Sequence, residues 1–74
     1  MGIKIRLFAT LREGRGKEVE IKAGEGMTGS ELINTLEIEE KDVAIFLING
    51  KDATLEDTLQ EGDVISIFPP VGGG

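Results

Sequence analysis

The sequence predicts an α+β fold, a mixed sheet of four to five strands packed on one helix. Three observations carry that expectation. Ile3, Ile5 and Leu7 alternate with Lys4 and Arg6, the period of a strand with one buried face. Thr28 followed three positions later by Glu31 is the signature of a capping box, and Leu32, Ile33 and Leu36 beyond it share one helical face. Val43 to Ile48 is apolar at every position and rich in branched residues, which suits a strand with little exposure on either face.

The remaining elements fall between these three. The polar, twice Gly-interrupted stretch Arg12 to Lys17 predicts a hairpin into a second strand, where Val19, Ile21 and Ala23 alternate with Glu18, Glu20 and Lys22. Gly24-Glu25-Gly26 ends that strand. Met27 before the cap and Leu32 at the fourth helical position have the spacing of a hydrophobic staple. Gly29 lies in the first turn, where its helix penalty matters least, and the pattern fades into Glu37 to Asp42, so the helix is about two to three turns long. Asn49-Gly50 turns the chain after the apolar strand. Thr54 to Asp57 resembles a second, shorter cap, with Leu55 and Leu59 placed to pin a brief helical turn. Glu61-Gly62-Asp63 is another turn, Val64 to Phe68 the last strand, and Pro69-Pro70 end it because proline cannot donate to a ladder. Residues 1–70 are expected to form a single domain and residues 71–74 a flexible C-terminal glycine tail.

Composition narrows the chemistry. A chain of 74 residues makes one domain, which buries only about 60% of the surface its unfolded chain exposes. With no Cys and no His it has neither disulfides nor the usual zinc ligands to compensate, and it lacks thiolate nucleophiles and His general bases. No metal site is expected. The chain has no membrane-spanning apolar run and no charged-then-apolar leader, which makes the cytoplasm the expected compartment. Eight basic against fourteen acidic residues give a net charge of -6, which disfavours nucleic acid and anionic membranes and suits a basic protein partner.

Two stretches resemble a known family. Leu7-Phe8-Ala9-Thr10-Leu11-Arg12-Glu13 follows the first strand, and Leu59-Gln60-Glu61-Gly62-Asp63-Val64 leads to Ile67-Phe68-Pro69-Pro70-Val71-Gly72-Gly73-Gly74. Across essentially its whole length the chain resembles the MoaD/ThiS sulfur carriers, ubiquitin-like proteins of the β-grasp fold that include the small subunit of molybdopterin synthase. The first stretch and Phe-Pro-Pro-Val look like the molybdopterin branch; the Val-Gly-Gly-Gly end also looks like the thiamine-pathway carrier. The resemblance implies that the first and last strands lie parallel at the sheet's centre. It implies a protein that is not catalytic alone and binds no cofactor tightly. Its expected partners are an ATP-using adenylating enzyme of the ubiquitin-activating type, a sulfur donor protein, and a molybdopterin synthase large subunit or a thiazole synthase. The Gly74 carboxylate would receive AMP and then sulfur. Other roles stay open: a protein modifier joined to lysines through Gly74, or a plain interaction domain.

The residues support the tail's role independently. A terminus that threads into a buried site cannot carry side chains, and Gly72, Gly73 and Gly74 remove them while allowing every backbone conformation. Val71 to Gly74 span at most about 14 Å at roughly 3.3 to 3.6 Å per residue. Pro69-Pro70 favour a semi-rigid exit. Strand parity puts Phe8 and Phe68 on the face opposite Ile3, Ile5 and Leu7, so in parallel neighbours they should meet where the tail leaves. Phe8, Phe68, Pro69, Pro70, Val71, Gly72 and Gly73 are the expected partner contacts. Phe46 is read as core or a half-exposed packing residue. The acidic run Glu37, Glu39, Glu40 and Asp42 is read as a solvated loop, and Arg12 and Glu13 as surface residues within reach of a partner contact.

Overall fold

The computed structural model describes residues 2–70. The order is β1 (Ile3–Leu7), β2 (Glu18–Ile21), α1 (Gly29–Thr35), β3 (Ile45–Ile48), β4 (Lys51–Asp52) and β5 (Val64–Phe68), with short 3-10 turns at Ala9–Arg12 and Glu40–Asp42. The sheet runs β2-β1-β5-β3-β4. β1 and β5 are parallel at its centre, in a register that sets Lys4 beside Val64 and Leu7 beside Ile67. β2 pairs antiparallel with β1, and β3 antiparallel with both β5 and β4. This is the β-grasp arrangement.

The alternation in the sequence becomes burial in the sheet. Ile3, Ile5, Leu7, Ile65 and Ile67 have no exposed surface, while Lys4 and Arg6 point the other way. Leu32 and Ile33 of α1 close over that face, and Leu11, Ile38, Phe46 and Leu59 complete the core from the loops and β3. Met27 and Leu36 pack half-buried at its margin.

The short helix is defined at both ends. Thr28 Oγ1 accepts from Glu31 N at 3.3 Å, and Glu31 Oε1 accepts from Thr28 N at 3.0 Å, the reciprocal box that the spacing predicts. Gly29 N and Ser30 N donate to the carbonyls of Asp57 and Leu55, so a neighbouring loop satisfies two further helix-start donors. At the other end Ile38 N donates to Ile33 O and Glu37 N to Asn34 O, a Schellman ending. Glu37 takes the left-handed position at φ 61° that usually falls to Gly. Arg15 reaches across from the β1–β2 connection, its Nε and Nη2 donating to Leu36 O and Glu37 O at 3.0 Å each, which complements the negative end of the helix.

Three expectations are corrected. Residues 54–57 form a turn without helix, closed by Thr54 N donating to Asp57 Oδ2 at 2.8 Å, because Leu59 is drawn away into an extended hydrogen bond with Met27 O. The strand around Val19 ends at Ile21, short of Ala23, and a two-residue strand, Lys51–Asp52, follows Asn49-Gly50. Asn49 and Gly50 both have positive φ, as a two-residue hairpin turn requires. Finally, the apolar run is not buried on both faces. Regular pairing starts only at Ile45, and Ile45 itself is 47% exposed, because α1 covers only the face that holds Phe46.

Gly29 has a packing role beyond its place in the first turn. A Cβ there would lie 2.8 Å from Phe46 Cζ and 3.0 Å from Leu55 Cα. Ala would gain about 1 kcal/mol of helix propensity, yet the backbone on one side cannot retreat. We expect Gly29→Ala to lower stability by about 1–3 kcal/mol, the usual range for overpacking, read as a lower urea midpoint at unchanged slope.

Candidate functional site

The C-terminal ends of β1 and β5 lie together, and this is where the last described residues leave the sheet. The Leu7–Ile67 register places the next residues of both strands side by side on the open face. Phe8 and Phe68 stack there, ring centroids 4.1 Å apart and planes inclined by 10°. Both rings are half-buried. They meet on the face that parity predicts and are not part of the core.

Three local features hold Phe8 in that position. Ala9 turns the chain sharply away from β1 at φ 55°, a left-handed conformation unusual for a residue with a Cβ. Leu11, in the 3-10 turn that follows, is buried and anchors the turn to the core. Arg12 folds back: its Nε donates to Leu7 O at 2.8 Å, and its guanidinium carbon lies 5.4 Å from the centre of the Phe8 ring, within cation–π range.

An apolar groove of about 410 Å³ opens beside the stack. Phe8, Ala9, Ile45, Phe68, Pro69 and Pro70 form most of its wall. Ile45 belongs there because it is the register partner of Phe68 across the β3–β5 ladder, so both side chains emerge on the open face. Sequence reading missed Ile45, since a uniformly apolar strand gives no sign of which face lacks a cover; only long-range register reveals it. Of the expected contact residues, Phe8, Phe68, Pro69 and Pro70 come together at this groove. Val71, Gly72, Gly73 and the Gly74 carboxylate lie outside the described residues.

The described residues include neither His nor Cys. Among them no three metal-ligating groups of His, Cys, Asp or Glu gather. No helix among them is long and apolar enough to cross a membrane. What the site offers is an apolar, aromatic platform at the base of the C-terminus.

Comparisons with known proteins agree with this fold. The model of the ThiS family matches residues 5–74. The chain is 32% identical to small archaeal modifier protein 3 of Haloferax volcanii, over 92 aligned positions that cover all of both chains. Its structure superposes with a TM-score of 0.79 on a Pyrococcus furiosus protein assigned as molybdopterin converting factor subunit 1, at 28% identity over 96% of this chain and 99% of the other. It also superposes, at TM-score 0.66 and 30% identity over all of both chains, on a chain of the complex between subunits 1 and 2 of the molybdopterin-converting factor of Helicobacter pylori.

The stacked pair should contribute less than a core aromatic. A stacked pair adds about 0.5–1.5 kcal/mol beyond its area, whereas removing a buried Phe costs about 3–5 kcal/mol. We expect Phe8→Ala to cost about half of what Phe46→Ala costs or less, measured side by side by chemical unfolding.

Proposed function

The chain belongs to the ThiS family, a ubiquitin-like group with sulfur carriers and small modifiers among its relatives, and from that premise we propose that it is a sulfur carrier for molybdopterin synthesis. The Gly74 carboxylate attacks the α-phosphorus of ATP held by an adenylating enzyme, displacing pyrophosphate and forming an acyl adenylate. A sulfide-level sulfur from a donor protein then attacks the acyl carbon, AMP leaves, and the terminus becomes a thiocarboxylate. A large synthase subunit takes up the terminus, and the sulfur passes to the pterin dithiolene of the molybdenum or tungsten cofactor. ATP belongs to the activating enzyme, so the carrier itself needs no resident cofactor.

One observation carries this reading: β5 ends at Phe68, against Phe8 and the apolar groove, so the C-terminus starts beside a surface suited to docking. The chemistry of activation and of sulfur delivery then falls to the partners, and the carrier's task is to present a terminus. Similarity to a subunit of a two-protein molybdopterin-converting factor supports the choice of pathway. A second reading is favoured by the archaeal modifier relative: the same acyl adenylate passes to a lysine amine of a target protein. Both readings share the first step and part at the second.

Intact mass spectrometry separates them. With ATP, the adenylating enzyme of the same genome and a sulfur donor, the full-length chain should gain the mass of sulfur for oxygen, and a chain lacking Gly73 and Gly74 should gain nothing. Lysine-linked adducts in place of the thiocarboxylate would favour the modifier reading. Retention of full activity by the truncated chain would reduce the protein to an interaction domain.

A further inference from the structure

The turn between β3 and β4 places a carboxamide directly before a glycine, Asn49-Gly50. A glycine backbone nitrogen is an unusually open nucleophile, because no side chain shields it. A Cβ at Gly50 would meet nothing within 4 Å, and both residues are exposed to water. The other asparagine of the chain, Asn34, sits in α1 before Thr35, where helical backbone and a β-branched neighbour oppose attack on the side chain.

The fold holds the Asn49 side chain away from that nitrogen. Its Oδ1 accepts from Val64 N at 2.9 Å and its Nδ2 donates to Asp63 Oδ1 at 3.0 Å, so both ends of the carboxamide are tied to the start of β5. The backbone is left-handed, at φ 53°, and Asn49 N donates to Val64 O at 2.7 Å. Bond formation between Gly50 N and Asn49 Cγ therefore requires the side chain to swing out of both hydrogen bonds and the backbone to rotate out of the turn. Asp63 is fixed as well: its Oδ2 accepts from Gln60 N at 2.9 Å, and its carbonyl accepts from Lys4 N at 3.1 Å. It has no freedom to move aside for a changed partner without opening the turn at Glu61-Gly62.

We propose that Asn49 is a site of spontaneous deamidation, gated by its latch to Asp63, and that the product cannot close the latch again. Once the latch opens, Gly50 N attacks Asn49 Cγ and loses its proton to water, the Cγ–Nδ2 bond breaks, and the nitrogen takes up a proton and leaves as ammonia. The cyclic imide then adds water. Cleavage of the imide bond to Cγ yields aspartate at this position; cleavage of the bond to the main-chain carbonyl carbon yields isoaspartate, with an extra backbone carbon in the turn. Water is the only co-reactant. Aspartate sets a carboxylate against Asp63 Oδ1 where an N–H stood, which replaces a donor and acceptor by two like charges. Isoaspartate in addition lengthens a two-residue turn whose geometry depends on both positive φ values. Either way the β3–β4 hairpin loses its tie to β5.

Peptide mapping by mass spectrometry tests the gate on the full-length chain, aged folded or unfolded in urea. Residue 49 should gain the mass of a hydroxyl in place of an amino group, at least about tenfold more slowly in the folded chain, since only the opened turn reacts. Asp63→Ala should move the folded rate towards the unfolded one. Ile33→Val, a core change in α1 away from the latch, should lower stability yet leave the rate within about twofold of wild type. No gain at residue 49 in the unfolded chain, equal rates in the two states, or equal acceleration by both variants overturns the gate. Urea unfolding tests the fate of the product. Asn49→Asp should lower the midpoint, and adding Asp63→Asn should restore it, because the exchanged pair remakes every bond: position 49 accepts from Val64 N and from the new amide, whose oxygen accepts from Gln60 N. An Asn49→Asp chain as stable as wild type, or a double variant no more stable than the single one, overturns the claim that the latch stays open.

Discussion

β1 and β5 run side by side in the same direction at the centre of the sheet, and parallel strands cannot be joined by a tight turn. All of residues 8 to 63 therefore has to cross between them, carrying the helix over one face on the way. The two strands contribute five of the fully buried side chains, so the core exists only once the two ends of the domain have met. The same pairing fixes the functional edge. Because the strands are parallel and in register from Lys4–Val64 to Leu7–Ile67, whatever follows β1 must lie next to whatever follows β5. The aromatic stack is a consequence of topology, and the last described residues follow a strand that is paired on both sides.

A helix of seven residues would be marginal by itself, since nucleation is costly and few hydrogen bonds follow. It is stable here because almost every orphan group at its ends finds a partner. The box at Thr28 and the loop carbonyls of Leu55 and Asp57 serve the start; the Schellman bonds and Arg15 serve the end. Arg15 also donates through Nη1 to Leu11 O and Glu13 O, at 3.2 and 3.3 Å. One guanidinium thus ties the helix end to the 3-10 turn that follows Phe8. On the opposite edge Asn49 does comparable work: its Oδ1 accepts from Val64 N and its Nδ2 donates to Asp63 Oδ1, latching the β3–β4 hairpin to the start of β5.

Much of this was legible because it depends on local rules. Alternation located β1 and β5, the Thr28–Glu31 spacing located the helix start, and parity put both Phe rings on the open face once parallel pairing was assumed. The rest depends on long-range register or on conformations that residue type does not announce. Lys51 and Asp52 form a strand only because β3 offers them an edge. Nothing in Ala9 or Glu37 signals a positive φ; each is held there by what is buried nearby, Leu11 for one and Ile38 for the other. Ile45 became exposed through its pairing with Phe68, and three cations scattered over Arg6, Arg12 and Lys17 became one recess through the bend after β1. Net charge averages such a pattern away.

The division between an unadorned terminus and a decorated base follows from energetics. Glycines present no side chain, so a run such as Gly72-Gly73-Gly74 can be admitted to a narrow channel but cannot tell one channel from another. It is also costly to order: fixing the backbone of three glycines in a partner's site loses roughly 3–6 kcal/mol at about 1–2 kcal/mol per residue, and glycines have no apolar side chain to offset that. The compensation must come from groups close enough to bind in the same event, which confines it to the edge where β5 ends. Burying one large apolar side chain contributes about 1.5–3 kcal/mol, so a groove walled by Phe8, Ile45, Phe68 and Pro70 is of the right order to offset much of the cost. In the carrier reading, affinity and discrimination have to be found where β5 ends, because a run of glycines can carry neither.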